Sequence, residues 1–298
     1  MEKPVAHIFP AFVPEYKGYE IDAITKHGTD FTGLLKSASA ITGSDLTSFN
    51  IASGNFLDDE LKSQYITYIM ACAVSDILHK NGQKPAMTAG YSMGLYAALY
   101  HNRALTFESG LHIITLAYRC IHEAAESKSF GMGVIGGLEE NDIEKIITLN
   151  QLDCRLTNLN SSVSFVLSGM KQDVETALLL AKEEGALQTR MMNVAHPYHS
   201  DYIRTASAAL QKQMEPIEFS RSCYSLISLI NQQIIMEPEQ LSAEVVRNIS
   251  NRINWHKTFK YMLETGIHDF IECGAGESLQ KIGKFIDGDF NISGLKKL

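Results

Sequence analysis

The chain has 298 residues, 45% of them hydrophobic, enough to bury a sizeable core in one large domain or in a large domain with a smaller insert. Its formal net charge is −8 and it carries no run of Lys or Arg, which argues against nucleic acid and anionic membranes as partners. Five scattered cysteines (Cys72, Cys120, Cys154, Cys223, Cys273) show no C-x-x-C spacing, so neither a disulfide framework nor a zinc site is expected. Met1-Glu2-Lys3-Pro4 starts no signal peptide and no apolar run is long enough to span a bilayer, so the expected compartment is the reducing cytoplasm.

In chain order, residues 5–9 read as a short buried strand ending at Pro10. Residues 61–80 read as an amphipathic helix, with Ile66, Ile69, Met70, Ala73, Val74, Ile77 and Leu78 on one stripe and Asn81-Gly82 as its stop. The apolar run at 85–89 predicts a second strand, and residues 107–125 a second helix with Thr106 as N-cap. The texture changes at Ser127-Lys128-Ser129-Phe130-Gly131. Strands are then expected at 132–136, 154–158, 164–168 and 189–194, with helices at 141–149 and 171–184. This β-α-β-β-α-β order is the ferredoxin-like arrangement. Helices at 201–213 and 256–265 and a strand at 269–272 return the chain to α/β texture. The expected fold is α/β: an α/β-hydrolase-like large domain with a parallel-sheet core (residues 1–127 and 197–298), carrying an inserted ferredoxin-like small domain (residues 128–196).

Gly90-Tyr91-Ser92-Met93-Gly94 lies between the second strand and a run of small and apolar residues, the strand–turn–helix context of a nucleophile elbow. Its two glycines let the backbone turn sharply and leave the Ser92 hydroxyl at the positive end of a helix, where backbone N–H groups can meet an oxyanion. The pentapeptide alone is not specific. A serine hydroxyl also needs a base within reach, and the best-placed candidates are in His196-Pro197-Tyr198-His199, where the small unit hands the chain back and a pocket between domains is common. A conventional α/β-hydrolase would need an acid between Ser92 and His199 in chain order, and none sits at an obvious strand end.

Several ordered motifs together resemble the malonyl-CoA:acyl-carrier-protein transacylase family, the acyltransferases of fatty acid and polyketide synthesis. Gly90-Tyr91-Ser92-Met93-Gly94 stands for its G-H-S-L-G, and Ser63-Gln64-Tyr65 for its T-Q-P. Asn158-Leu159-Asn160-Ser161 stands for N-x-N-S, and Val166-Leu167-Ser168-Gly169 for V-[IV]-[SA]-G. His196-Pro197-Tyr198-His199-Ser200 resembles the H-A-F-H-S of malonyl-using members; Asn254-Trp255 and Glu272-Cys273-Gly274-Ala275-Gly276 resemble V-x-W and E-x-G-P-G. The resemblance implies Ser92 as nucleophile, His199 as its base, and a backbone carbonyl near Asn248 as the group that orients the imidazole. It implies an oxyanion hole from the backbone N–H groups of Met93 and Phe12. It also implies a pocket lined by Ala117, Gln64, Tyr198, His196 and Asn160, with Gln64 and Asn160 at the pocket or at the carrier-protein approach. No metal or resident cofactor is implied; the substrates are phosphopantetheine-bearing, namely acyl-CoA and acyl carrier protein. The family is often monomeric.

Two departures matter. The family's F-P-G-Q-G-S-Q is here Phe9-Pro10-Ala11-Phe12-Val13-Pro14-Glu15, with both glycines and both glutamines gone. Malonyl-using members also carry an arginine that grips the substrate carboxylate as a bidentate fork. Ungapped alignment puts that position at Ala117, and Arg119 lies about 200° away around the helix. An uncharged acyl group is therefore expected, against the H-P-Y-H motif, which points toward malonyl. The alternatives are a malonyl transacylase proper, a hydrolase that strips stalled acyl groups from carrier proteins, and a catalytically silent synthase subunit. The intact Ser92/His199 pair disfavours the last.

Overall fold

The computed structural model describes residues 3–11 and 15–298. The first strand, β1 (Val5–Phe9), is buried from Ala6 onward, as a strand covered on both faces must be. Three helices follow: α1 (Glu20–Lys26), α2 (Phe31–Thr42) and α3 (Glu60–Lys80). Next come β2 (Met87–Gly90), α4 (Gly94–His101) and α5 (Phe107–Ala125), then β3 (Phe130–Gly136), α6 (Glu140–Leu149), β4 (Cys154–Ser161), β5 (Ser164–Met170), α7 (Lys171–Glu183) and β6 (Gln188–Met191). The remainder holds α8 (Arg204–Gln213), β7 (Leu226–Ile227), β8 (Ile234–Ile235), α9 (Pro238–Asn248), β9 (Ile253–Asn254), α10 (Trp255–Glu264), β10 (Asp269–Glu272), α11 (Ser278–Gly283) and β11 (Asn291–Gly294).

Two sheets organise these elements. The larger runs β11-β10-β1-β2-β7-β8 and is parallel except for β8, which pairs antiparallel with β7. The smaller runs β6-β3-β5-β4-β9. Its first four strands are antiparallel and come from one β-α-β-β-α-β run; β9, from late in the chain, adds on parallel to β4. The last third of the chain thus contributes to both sheets.

Helix α3 differs from the one-stripe expectation: 15 of its 21 residues are buried, on all sides. It is a central helix, packed between α2, α4 and α5, and a helix enclosed in this way has no solvent face to keep polar. Helix α5 starts as expected, with the Thr106 hydroxyl accepting from Ser109 N at 3.0 Å. The stretch 201–213 opens with a single tight helical turn, Asp201–Ile203, before α8 begins. Strand β6 stops at Met191, short of the expected 194, because its pairing with β3 ends at Gly133.

Strands β1 and β2 end side by side, with Phe9 opposite Gly90, and Tyr91 N donates to Phe9 O at 2.8 Å. The chain then reverses into α4 with almost no spare volume. A Cβ on Gly94 would stand 2.2 Å from Phe9 O, and one on Gly90 2.3 Å from Leu95 Cα. Neither clash is with a movable side chain. Gly94→Ala is expected to destabilise the fold by about 3 kcal/mol, as overpacking against fixed backbone does. A urea unfolding midpoint unchanged from the parent would show that the elbow has slack.

Candidate active site

Ser92 sits at the tip of the turn between β2 and α4 with φ 55°, in the left-handed region that side chains avoid. His199 lies in the loop before α8 and is also left-handed, with φ 60°. The two residues meet: Ser92 Oγ is 2.6 Å from His199 Nε2. On its other side, His199 Nδ1 is 2.6 Å from the carbonyl oxygen of Asn248, the last residue of α9. A carbonyl can only accept, so Nδ1 carries the proton and Nε2 offers its lone pair to the Ser92 hydroxyl. The backbone closes the arrangement. His199 N donates to Ile249 O at 2.8 Å, and Asn248 Nδ2 donates to Ser92 O at 3.1 Å. Met93 occupies the N-cap of α4, so its N–H lies ahead of the helix's own hydrogen bonds.

Burial lowers the His199 pKa to about 4; backbone hydrogen bonds with Asn248 and Asn251 oppose this only in part. The imidazole is therefore neutral near pH 7, as a general base must be.

A small cavity of about 20 Å³ adjoins Ser92, lined by Gln64, Ala117, Tyr118 and Tyr198 together with Met93 and His199. Outside it lies a cleft of about 360 Å³ lined by residues of both sheets' surroundings, among them Glu60, Tyr91, Asn160, Arg190 and Lys281. Among the described residues no cluster of three or more His, Cys, Asp or Glu could hold a metal ion, and no helix is long and apolar enough to cross a membrane.

The structure brings Ser92, His199, the Asn248 carbonyl, Met93, Gln64, Ala117 and Tyr198 together. Asn160 faces the wider cleft and accepts from Tyr91 OH at 2.6 Å. His196 is a correction to the expected pocket. It is not among the residues lining the cavity or the cleft but sits behind, with Nδ1 3.1 Å from Glu60 Oε1 and Nε2 3.2 Å from His122 Nδ1. Its own backbone loop turns it toward α3, while only Tyr198 and His199 point inward. Phe12 lies outside the described residues. Arg119 is exposed on the far side of α5, where it donates to Gln213.

Among the residues of the site that were not anticipated, two hold it in place. Tyr91 ties the elbow to the small sheet. Its hydroxyl donates to Asn160 and accepts from Asn158 Nδ2 at 3.0 Å, and its ring meets Trp255 edge-on at 5.6 Å. The N-x-N spacing was a usable signal, because period two on a strand puts both amides on one face. Glu60 lies one helical turn before Gln64. Within Asp58-Asp59-Glu60 it reads as a solvated helix start, and only the structure shows it turned inward.

The acyl transferase domain model matches residues 22–284 of this chain. The chain belongs to the acyl transferase domain family. This acyltransferase is 25% identical over 218 residues to the malonyl CoA-acyl carrier protein transacylase of Bacillus subtilis, covering 72% of the chain and 69% of that relative. It is 24% identical over 277 residues to the polyketide biosynthesis protein ThaF of Burkholderia thailandensis, covering 92% of the chain but 23% of that longer protein. The solved malonyl CoA-acyl carrier protein transacylase of Coxiella burnetii superposes with a TM-score of 0.87 at 25% identity, over 99% of this chain and 94% of that one. The acyltransferase thus shares its whole α/β architecture with enzymes of that name.

His199 is the group positioned to take the Ser92 proton and can do so only when neutral; its pKa is about 4 rather than the ordinary 6.5. Rates of Ser92 labelling by a fluorophosphonate are expected to stay level from about pH 8 down to about pH 5 and to fall below that. Stability follows the same group. Between 6.5 and 4 the unfolded chain holds the proton that folded His199 refuses, so stability is full above about 6.5 and falls toward pH 4. His7, lowered to about 4 by burial and by His79, acts in the same direction. A labelling profile centred near 6.5 would show that His199 is solvated in the working enzyme.

Proposed function

We propose that this acyltransferase moves a short, uncharged acyl group from a CoA thioester to an acyl carrier protein, through an ester on Ser92. The observation that carries the chemistry is the 2.6 Å contact between Ser92 Oγ and the unprotonated nitrogen of His199. His199 Nε2 takes the hydroxyl proton as Ser92 Oγ attacks the thioester carbonyl. The tetrahedral oxyanion is met by the N–H of Met93. The thiol leaves with the proton from His199, and an acyl-serine remains. A phosphopantetheine thiol of the carrier protein then gives its proton to His199 and attacks that ester, so the second half mirrors the first. The large lobe (residues 1–127 and 197–298) supplies both reacting side chains. The small lobe (residues 128–196) supplies Asn160 and Arg190 to the cleft along which the pantetheine arm enters; Arg190 and Lys281 are cations suited to its phosphate.

The names of the relatives support the acceptor: one of the matched structures is a type II polyketide acyl-carrier protein in complex with its malonyl-transacylase. The pocket supports a different acyl group. Ala117 lines the cavity beside Ser92, where a carboxylate-gripping arginine is expected in malonyl-using members, and Arg119 is turned away onto Gln213. A carboxylate buried there without a cation costs several kcal/mol. The cavity beside Ser92 is small, about 20 Å³, which favours short chains over long ones.

Incubation with acetyl-, butyryl- and malonyl-CoA, followed by mass spectrometry of the intact protein, tests this. The expected result is an acetyl or butyryl adduct on Ser92, absent in Ser92→Ala, that passes to added carrier protein. Rapid release of free acid would instead make water the acceptor and the protein a hydrolase. Ala117→Arg is expected to raise malonyl labelling by about tenfold or more, since a charge-assisted bidentate pair is worth about 1.5–3 kcal/mol. Heavy malonyl labelling of the parent protein would overturn the assignment of the acyl group.

A further inference from the structure

The strongest unexplained feature near the cavity is a buried carboxylate. Glu60 opens α3 directly after its N-cap, Asp59, and its side chain is only 10% exposed. It accepts from Ala195 N at 3.1 Å, from His196 Nδ1 at 3.1 Å and from Tyr198 OH. Behind it His196 meets His122, and in front Tyr198 accepts from Gln64 Nε2 at 3.0 Å. The result is one polar chain, His122–His196–Glu60–Tyr198–Gln64, whose last two members line the cavity beside Ser92. Among the described residues its ion-pair partner is His196, charged only when protonated, and no Lys or Arg pairs with it. Burial pushes its carboxyl up, but the hydrogen bonds from His196 and Tyr198, the charge of His196 and the Ala195 N–H outweigh that and hold it below the ordinary carboxylate value. It is therefore ionised at neutral pH.

This arrangement bears on what can enter. A tyrosine hydroxyl has one proton, and that of Tyr198 goes to Glu60. The Gln64 amide is engaged with the same hydroxyl. An acyl group ending in a carboxylate would therefore meet no arginine, a tyrosine whose proton is already donated, and a negative charge immediately behind that tyrosine. We propose that Glu60 is a specificity-determining residue that turns carboxylate-bearing acyl groups away from Ser92, by its own charge and by holding the Tyr198 proton. The inference rests on the acyltransferase reading above and extends it: the selection is an active rejection of charge as well as the loss of a cation.

The test compares two thioesters of matched size, malonyl-CoA and acetoacetyl-CoA, which differ at the acyl terminus by a carboxylate oxygen in place of a methyl group. Single-turnover labelling of Ser92 is read by intact-protein mass spectrometry in the parent, Glu60→Gln, Tyr198→Phe and the double variant Glu60→Gln/Ala117→Arg. The parent is expected to favour acetoacetyl by about tenfold or more, as like charges in a partly buried site require. E60Q is expected to narrow that ratio by about tenfold, and Y198F, which leaves the charge in place, to keep it. The double variant is expected to gain more malonyl labelling than the product of the two single gains, because in A117R alone the new arginine is partly neutralised by Glu60. A parent that takes malonyl as fast as acetoacetyl overturns the inference without any variant. E60Q and Y198F shifting the ratio equally overturns it too, since Glu60 would then act only by holding Tyr198 in place. A parent whose Ser92 takes no acyl group from any thioester overturns the acyltransferase reading, and this inference with it. A parent that labels well, with variants whose ratio does not move, overturns this inference alone.

Discussion

The catalytic arrangement depends on one hydrogen bond that fixes a tautomer. Because His199 Nδ1 faces the Asn248 carbonyl, its proton has only one place to be, and Nε2 is left as an acceptor for Ser92. Both Ser92 and His199 hold left-handed backbone conformations, which cost on the order of 1–2 kcal/mol each for a residue with a Cβ. Such conformations persist only where neighbours over-determine them. Here α9 does so for both at once: the Asn248 side chain binds the Ser92 carbonyl, its own carbonyl binds the His199 ring, and Ile249 O takes the His199 backbone N–H. One helix C-terminus thus sets the distance between two residues 107 positions apart in the chain.

Packing explains why the elbow stays where it is. The larger sheet ends under it, with Phe9 and Gly90 in register, and the absence of a Cβ at Gly90 and Gly94 lets α4 come down onto the strand ends. The smaller sheet holds it from the other side through Tyr91, whose hydroxyl both donates and accepts on β4 and whose ring rests on Trp255. Trp255 is fully buried, so this contact is a fixed wall. The pentapeptide therefore couples to both sheets, through its backbone to one and through its tyrosine to the other.

Much of this was legible from residue order. Strand β1, helix α5 with its Thr106 cap, and the β-α-β-β-α-β run follow from local apolar period and capping chemistry, which sequence carries directly. The pairing of Ser92 with His199 and the Asn248 carbonyl followed from motif resemblance. What stayed hidden was set by tertiary enclosure. Helix α3 shows an apolar stripe, but its polar positions, Ser63, Gln64, Thr67 and Ser75, are buried as well, because other helices surround it. The strands β7, β8 and β9 have two residues each, too short for any period to register. Glu272, in the late Glu-Cys-Gly-Ala-Gly motif, is structural: it accepts the backbone N–H groups of Leu279 and Gln280 at 2.9 and 3.1 Å and holds the start of α11. Glu60 was passed over and His196 was placed in the pocket for a common reason. A carboxylate in an acidic run and a histidine in a motif look respectively solvated and pocket-lining, and only their mutual contact shows that they satisfy each other.

The choice of a carbonyl rather than a carboxylate behind His199 has a chemical consequence. A buried carboxylate at that position would raise the imidazole pKa and stabilise the imidazolium strongly. A carbonyl dipole does so weakly, and the His199 pKa accordingly stays at about 4. Such a weak base suits a reaction whose leaving group needs little help. A thiol, with a pKa of about 8.5, departs as thiolate far more readily than an amine or an alcohol, so the imidazolium need not be held for long before its proton is handed on. The same site would be poorly equipped for amides. The negative charge it does bury, at Glu60, borders the outer cleft and reaches the cavity only through Tyr198. Placing it there leaves the base weak and, on the proposed reading, sets an anion against carboxylate-bearing acyl groups. On that reading, the position of one carboxylate bears both on thioester exchange and on the kind of acyl group exchanged.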